Sequence, residues 1–231
     1  MNLFGQRLDE VDYESVLRLV DKSVKNKGVK LTVFSLNLHT FRLLFNDGSF
    51  KMIHRKAGVV HADGMSVVYL ARFLGKKIKR VNGTELVLKI LKSGYKSFVI
   101  GLNRKLFLKL KQDYPNVVGY YFPSFAKKWS VTETKKMLTE IKKSGARIIL
   151  VGVSNPKAEK WIDENCRKVD ASVWMAVGSA PEIIAGEKKR APKSLQSIGL
   201  EWLWRLMLEP KRLWKRYFSD AFWLVRFFFG R

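Results

Sequence analysis

One carboxylate stands where it could do chemistry. In "AGVVHADGMSVVYLARFLG", Asp63 follows a short apolar run and precedes an apolar segment at helical spacing, with Gly64 directly behind it. A carboxylate at a strand-to-helix corner, backed by glycine and a helix N-terminus, can be held rigidly while the backbone bends sharply. Beside an acceptor hydroxyl it would serve as a general base. The Asp-Gly pair by itself has a plainer and commoner reading, a helix N-cap or turn aspartate. The histidines are His39, His54 and His61, and none has a partner at metal-ligand spacing. They read as ordinary polar residues, with His61 two positions before Asp63 and on the same cleft. Other chemistries lack their parts: the sequence has no G-x-x-x-x-G-K-[ST] loop, no G-x-S-x-G elbow and no Cys/His set at zinc spacing. It also lacks an Asp-x-Asp pair to anchor a divalent metal. No metal or cofactor is expected, and arginines and helix N-termini would carry the charge of a departing diphosphate.

The elements that would position Asp63 alternate. Apolar residues at Val16, Leu17, Leu19, Val20 and Val24 predict a helix from about Asp12 to Asn26, with Gly28 as its stop. "KLTVFSLN" reads as a strand, Leu38 to Phe45 as a helix, and "AGVV" as a second strand ending in "HADG". Helices follow over Met65 to Leu74 and Thr84 to Leu91, then strand "KSFVIG" and a helix over Arg104 to Gln112. Strand "NVVGYYF", helix Val131 to Lys143, strand "ARIILVG", helix Lys157 to Arg167 and strand "SVWMAVG" complete the series. Alternation over this many elements implies parallel crossovers and a three-layer α/β, Rossmann-like, mostly parallel sheet. Ligands bind such sheets beyond the carboxyl ends of the strands. That places "SLN", "HADG", "GLN", "VGVSNP" and "VGSAP" along one edge, and with them Ser35, Asn37, His61, Asp63, Asn155 and, just beyond, Glu182.

The 231 residues can bury a full core, and 44 Lys+Arg against 20 Asp+Glu leave a formal charge of +24. Such an excess attracts a polyanion, whether nucleic acid, phosphorylated substrate or anionic lipid. Composition changes near Glu187, which divides the chain into a catalytic α/β domain, 1–186, and a C-terminal helical membrane-binding appendage, 187–231. The appendage holds Trp202, Trp204, Trp214 and Trp223, four of the seven tryptophans. They are interleaved with Lys188, Lys189, Arg190, Lys193, Arg205, Lys211, Arg212, Lys215, Arg216, Arg226 and Arg231. On a wheel from Lys211 to Phe229, an apolar arc of Leu213, Tyr217, Ala221, Leu224, Val225 and Phe228 opposes Arg212, Lys215, Arg216, Ser219 and Arg226. Lys211 and Trp223 break the pattern. A helix with one aromatic and one basic face suits a lipid interface, where each cation contributes about 1 kcal/mol near an anionic leaflet. The alternative is a helix packed on its own domain or on a second subunit, a homo-oligomer. No run reaches the roughly 18 to 20 apolar residues that cross a bilayer. The opening segment becomes charged before an apolar stretch could act as a signal peptide, and Cys166 is alone. A cytoplasmic protein, peripheral on the inner face of the plasma membrane, is expected.

The motifs fall in one order: "SLN" at Ser35–Asn37, "HADGMSVVYLARFLG", "KRVNGTEL" at Lys79–Leu86, "VGVSNPKAEKW", "AGEKKRAP" and "GLEWLWRLMLEPKRLWKRY". From about Lys30 onward this succession resembles the WecG/TagA/CpsF family of bacterial glycosyltransferases. The resemblance implies metal-independent, inverting transfer from a UDP-sugar to a saccharide on undecaprenyl diphosphate. Donors in that family are commonly UDP-N-acetylmannosamine, its uronic acid or UDP-glucose, and the products are envelope or exopolysaccharides. It makes Asp63 the general base, Ser35 and Asn37 the counterparts of a T-x-N element orienting sugar or acceptor, and Arg80 a polar contact in the cleft. His61, Asn155 and Glu182 are the further substrate-binding candidates. Arg190, Arg205 and Arg212 match basic positions of the family's appendage and, with Arg216, would meet phosphate or membrane.

Three positions depart from the family pattern: Ala158 stands where glutamine is usual, and Pro181 and Glu182 replace an aromatic and an aspartate. They keep open a catalytically weak relative that acts as a membrane scaffold in polysaccharide assembly. A basic nucleic-acid-binding protein is the third class, disfavoured by the interfacial tail and by the lack of an RNP, KH or helix-turn-helix signature.

Overall fold

The computed structural model describes residues 1–26, 28–197 and 199–230. Arg231 and the side chain of Lys193, both counted above with the basic tail, lie outside the described residues. A short antiparallel hairpin, β1 (Asn2–Leu3) and β2 (Gln6–Arg7), precedes α1 (Tyr13–Lys25). Asp12 and Ser15 form a capping box at the start of α1, and the helix ends at Lys25, short of Gly28.

Six strands make the main sheet: β3 (Leu31–Leu36), β4 (Val59–Ala62), β5 (Ser97–Ile100), β6 (Val117–Tyr121), β7 (Ile148–Val151) and β8 (Val173–Ala176). Their order is β4-β3-β8-β7-β5-β6 and every pairing is parallel. All four residues of β7 are buried, as a sheet covered on both faces requires. Because successive side chains point to opposite faces, Ile149 and Val151 enter one core while Ile148 and Leu150 enter the other.

The first core is covered by α2 (Leu38–Asn46), α3 (Gly48–Lys56), α4 (Met65–Phe73), α7 (Val131–Ser144) and α8 (Lys157–Asn165). The second is covered by α1, α5 (Gly83–Lys92), α6 (Arg104–Asp113) and α9 (Ala180–Ile184). The three-layer expectation therefore holds. Two boundaries moved. Helix α3 fills the stretch between Phe45 and "AGVV", to which periodicity assigns no element; Asp47 caps it by accepting from the Phe50 amide, and Phe50 and His54 bury its inner face. Strand β4 runs two residues later than "AGVV", so His61 and Ala62 belong to the strand itself.

The C-terminal segment, with α10 (Lys193–Ser197), α11 (Glu201–Leu208) and α12 (Pro210–Phe229), folds back on this body. Helix α12 lies on α2: Trp223 and Phe227 stack at 5.1 Å and meet Phe41 and Phe45, while Phe228 meets Phe4. Asp220, buried, accepts from Arg42 Nε at 2.6 Å and lies 3.1 Å from His39 Nδ1. The packed face is thus Leu213, Asp220, Trp223, Leu224, Phe227 and Phe228. It is rotated from the predicted apolar arc, because the buried ion pair at Asp220 draws Trp223 inward and turns Ala221 and Val225 to solvent. Among the described residues, no helix is long and apolar enough to cross a membrane.

Candidate active site

The carboxyl ends of the strands open into one cleft of about 1240 Å³. Neighbouring strands β5 and β7 send their following helices, α6 and α8, to opposite faces, which makes their junction the topological switch of the sheet. A glycine follows each strand there. Gly101 has φ +112, and a Cβ on it would lie 2.6 Å from the Gly152 carbonyl oxygen, so the two loops can meet only without side chains. The N-termini of α2, α5 and α6 face the same edge, capped by Asn37, Asn82 and Asn103. Each asparagine accepts a hydrogen bond from the third residue of its helix.

Asp63 sits between β4 and α4 and lines this cleft. Its amide donates to Leu36 O at 3.0 Å, pinning the corner to the end of β3. Its Oδ1 accepts from the Gly83 amide, at the N-terminus of α5, at 2.9 Å. Behind it, Gly64 leaves room for Asn37, whose Cβ would otherwise lie 3.4 Å from an added Cβ. His61 lies in register with Ser35 across β3 and β4, is buried, and has no partner for Nδ1 among the described residues. Burial pushes its imidazole below the ordinary value, and the Asp63 charge offsets part of that shift.

The remaining sequence candidates are found around the same cleft, in different states. Asn37 Oδ1 accepts from the Thr40 amide at 3.0 Å and from the Thr40 hydroxyl at 3.2 Å. Asn155 Nδ2 donates to that hydroxyl at 2.5 Å, so the ends of β3 and β7 are tied through Thr40. Glu182 is engaged by Lys188 at 2.5 Å. Arg80 turns all three guanidinium nitrogens onto the protein: Nε to Asp63 O at 2.7 Å, Nη1 to Gln196 O at 3.2 Å, and Nη2 to Glu201. Arg205, Arg212 and Arg216 line the cleft, and Arg212 pairs with Glu209. Arg205 and Arg216 have no carboxylate partner among the described residues. Arg190 instead reaches Glu85 at 3.0 Å, beside a small adjoining hollow. Ala158 lies in the core and does not line the cleft. Among the described residues, no group of three His, Cys, Asp or Glu is placed to hold a metal ion.

Several cleft residues escaped the sequence reading. Glu201 was visible in "GLEW" without a role, and Asp220 was hidden among apolar neighbours. Glu159, in the first turn of α8, lines the cleft fully buried with Oε2 unpartnered. Burial pushes its carboxyl up to about 7. A folded chain that holds this proton more tightly than the unfolded chain is favoured below the ordinary carboxyl value of 4.5 and loses that advantage as pH rises through 7. Glu159→Gln removes the loss. Urea unfolding is expected to give parent and variant similar stability near pH 4.5. At about pH 8 the variant should be more stable by on the order of 3 kcal/mol. Parallel pH dependences in the two proteins would contradict a neutral buried Glu159.

A corner-mounted carboxylate, a glycine-lined switch point, capped helix N-termini and cationic walls together suit transfer of a group from a diphosphate. The comparison with known families agrees and reaches further toward the N-terminus than the motifs did. The model of the glycosyl transferase WecG/TagA/CpsF family matches residues 1–231, the whole length, and the chain belongs to that family.

Proposed function

We propose that this glycosyltransferase moves a sugar from a UDP-linked donor to a saccharide carried on undecaprenyl diphosphate, with inversion at the anomeric carbon and without a metal. The donor is UDP-N-acetylmannosamine, its uronic acid or UDP-glucose. The observation that carries this reading is the Asp63 carboxylate, fixed at the cleft by one backbone N–H. Its second oxygen has no partner among the described residues. The acceptor hydroxyl attacks the anomeric carbon, its proton passes to Asp63, and the bond from carbon to diphosphate breaks with its electrons going to the departing nucleotide. Arg205, Arg212 and Arg216 from the tail supply positive charge for that diphosphate, so the tail completes the site as well as anchoring it. A panel of UDP-sugars offered with a polyprenyl-diphosphate N-acetylglucosamine acceptor, read by product mass, tests this. One donor should give a mass increase of a single sugar; no transfer from any donor would contradict the reading.

The lipid-facing surface is the outward stripe of α12. Trp214, Phe218, Phe222 and Phe229, spaced by four, four and seven residues, share one helix face and are exposed, Phe218 by 68% and Phe229 by 84%. Phe73 of α4, 75% exposed, extends the patch through its contact with Phe228. Lys211, Lys215 and Arg226 are exposed on the same helix. Aromatic rings would enter the interface while these cations meet lipid phosphates. Replacing Trp214, Phe218 and Phe222 together by serine is expected to abolish flotation with liposomes containing anionic lipid at physiological salt. Unchanged flotation would refute this surface, and preferential retention by nucleic acid would favour the polynucleotide alternative.

A further inference from the structure

We propose that Glu201, carried by the C-terminal segment, is a positioning residue for Asp63 and acts through Arg80. The inference rests on the reading of Asp63 as the base. The four residues "RVNG", Arg80–Gly83, hold Asp63 from two sides. Gly83 donates its amide to the carboxylate at 2.9 Å, and Arg80 Nε donates to the main-chain carbonyl at 2.7 Å. Between them, the Val81 amide donates to Ala62 O at 2.8 Å. That segment is in turn held by one carboxylate oxygen. Glu201 Oε2 accepts from Arg80 Nη2 and from Asn82 Nδ2, the latter at 3.0 Å.

Three features make this a positioning device rather than a surface contact. The Arg80 and Glu201 side chains are only 19% and 16% exposed, so water and salt screen their attraction poorly. Arg80 has each of its nitrogens bonded to protein, which fits a clamp better than a ligand contact. Asp63 is followed by Gly64, whose backbone supplies little stiffness, so the corner depends on its hydrogen bonds for its geometry. Removing Glu201 leaves a sheltered guanidinium without its counter-charge, frees it to swing toward the cleft, and loosens its grip on the Asp63 carbonyl. Proton abstraction needs donor and acceptor within about 2.6 to 3.2 Å. A displacement of about 1 Å can cost 100-fold in rate. The tail then contributes to catalysis through a carboxylate that never meets substrate, in addition to any arginine facing the diphosphate.

The test is a double-mutant cycle in the full chain with the active UDP-sugar and acceptor. Glu201→Ala and Arg80→Ala should each lower kcat by about 30- to 100-fold, with the donor KM within about twofold. The double variant should be no worse than the more impaired single one. Glu201→Gln, which keeps an acceptor for the Arg80 fork, should retain more kcat than the alanine variant. It also keeps the test valid should Glu201→Ala fail to fold. Additive losses would show that Glu201 acts independently of Arg80 and overturn the proposal. So would an unchanged kcat, or a raised one, which would make the contact autoinhibitory. Asp63→Asn is assayed alongside: if it remains fully active, the base assignment falls and this inference with it. An inactive Asp63→Asn beside a fully active Glu201→Gln and Glu201→Ala overturns the inference alone.

Discussion

Asp63→Asn should lower kcat by about three orders of magnitude while the donor KM stays within a few-fold of the parent value. The amide is isosteric and can still accept from the Gly83 amide, so the corner between β4 and α4 should keep its shape. What it cannot do is take the acceptor's proton as the new glycosidic bond forms. Most other cleft acids are poorly placed to substitute. Glu182, Glu201, Glu209 and Asp220 are each bonded to a lysine or arginine, and Glu159 is buried, while Glu187 is exposed to solvent on the loop after α9. Steady-state kinetics with the variant, alongside its unfolding curve, checks the prediction. Residual turnover within about tenfold of the parent would remove Asp63 from the base role.

Asp220→Ala should have the largest effect on stability, about 3 to 5 kcal/mol. Asp220 is the acidic partner of both Arg42 and His39, on the first turns of α2, and its side chain is only 3% exposed. Truncating it leaves a sheltered guanidinium unneutralised at the joint between α12 and α2. The aromatic contacts of Trp223 and Phe227 with Phe41 and Phe45 remain, so the segment should loosen rather than lose all contact. Loosening moves Arg212 and Arg216 away from the cleft, and transfer should fall by about 100-fold with it. Urea unfolding and limited proteolysis of the tail measure the first effect, and the transfer assay the second. Asp220→Asn, which keeps an acceptor for Arg42, should fall between parent and alanine variant. Parent-like stability and turnover in Asp220→Ala would mean that α12 is not held at this joint.

The parallel sheet was legible because its strands are buried on both faces and read as apolar runs such as "RIILVG", each followed by a segment at helical spacing. The site edge followed from the same alternation, since ligands meet such sheets at the strand ends. Helix α3 was not legible: nine residues with only Phe50, Ile53 and His54 facing inward give periodicity too little to work on. The orientation of α12 failed for a different reason. A wheel assigns faces by hydropathy, whereas the buried face here is fixed by an aspartate whose partners, His39 and Arg42, lie far away in sequence. The same limit hid Glu201. Its motif could be seen, but that it fastens "RVNG" depends on the tail crossing the cleft, which no local pattern encodes. Two of the three consecutive phenylalanines near the C-terminus, Phe227 and Phe228, pack inward; the exposed aromatic stripe proposed to meet lipid is built from residues spaced along the opposite face.

The central claim is a single displacement assisted by one carboxylate, and the anomeric configuration of the product tests it most directly. The one-bond C1–H1 coupling of the transferred sugar, measured by NMR on the product of a purified reaction, should show the configuration opposite to that of the donor. Retention of the donor configuration would require a covalent or front-face route that Asp63 as a base does not provide, and would contradict the account.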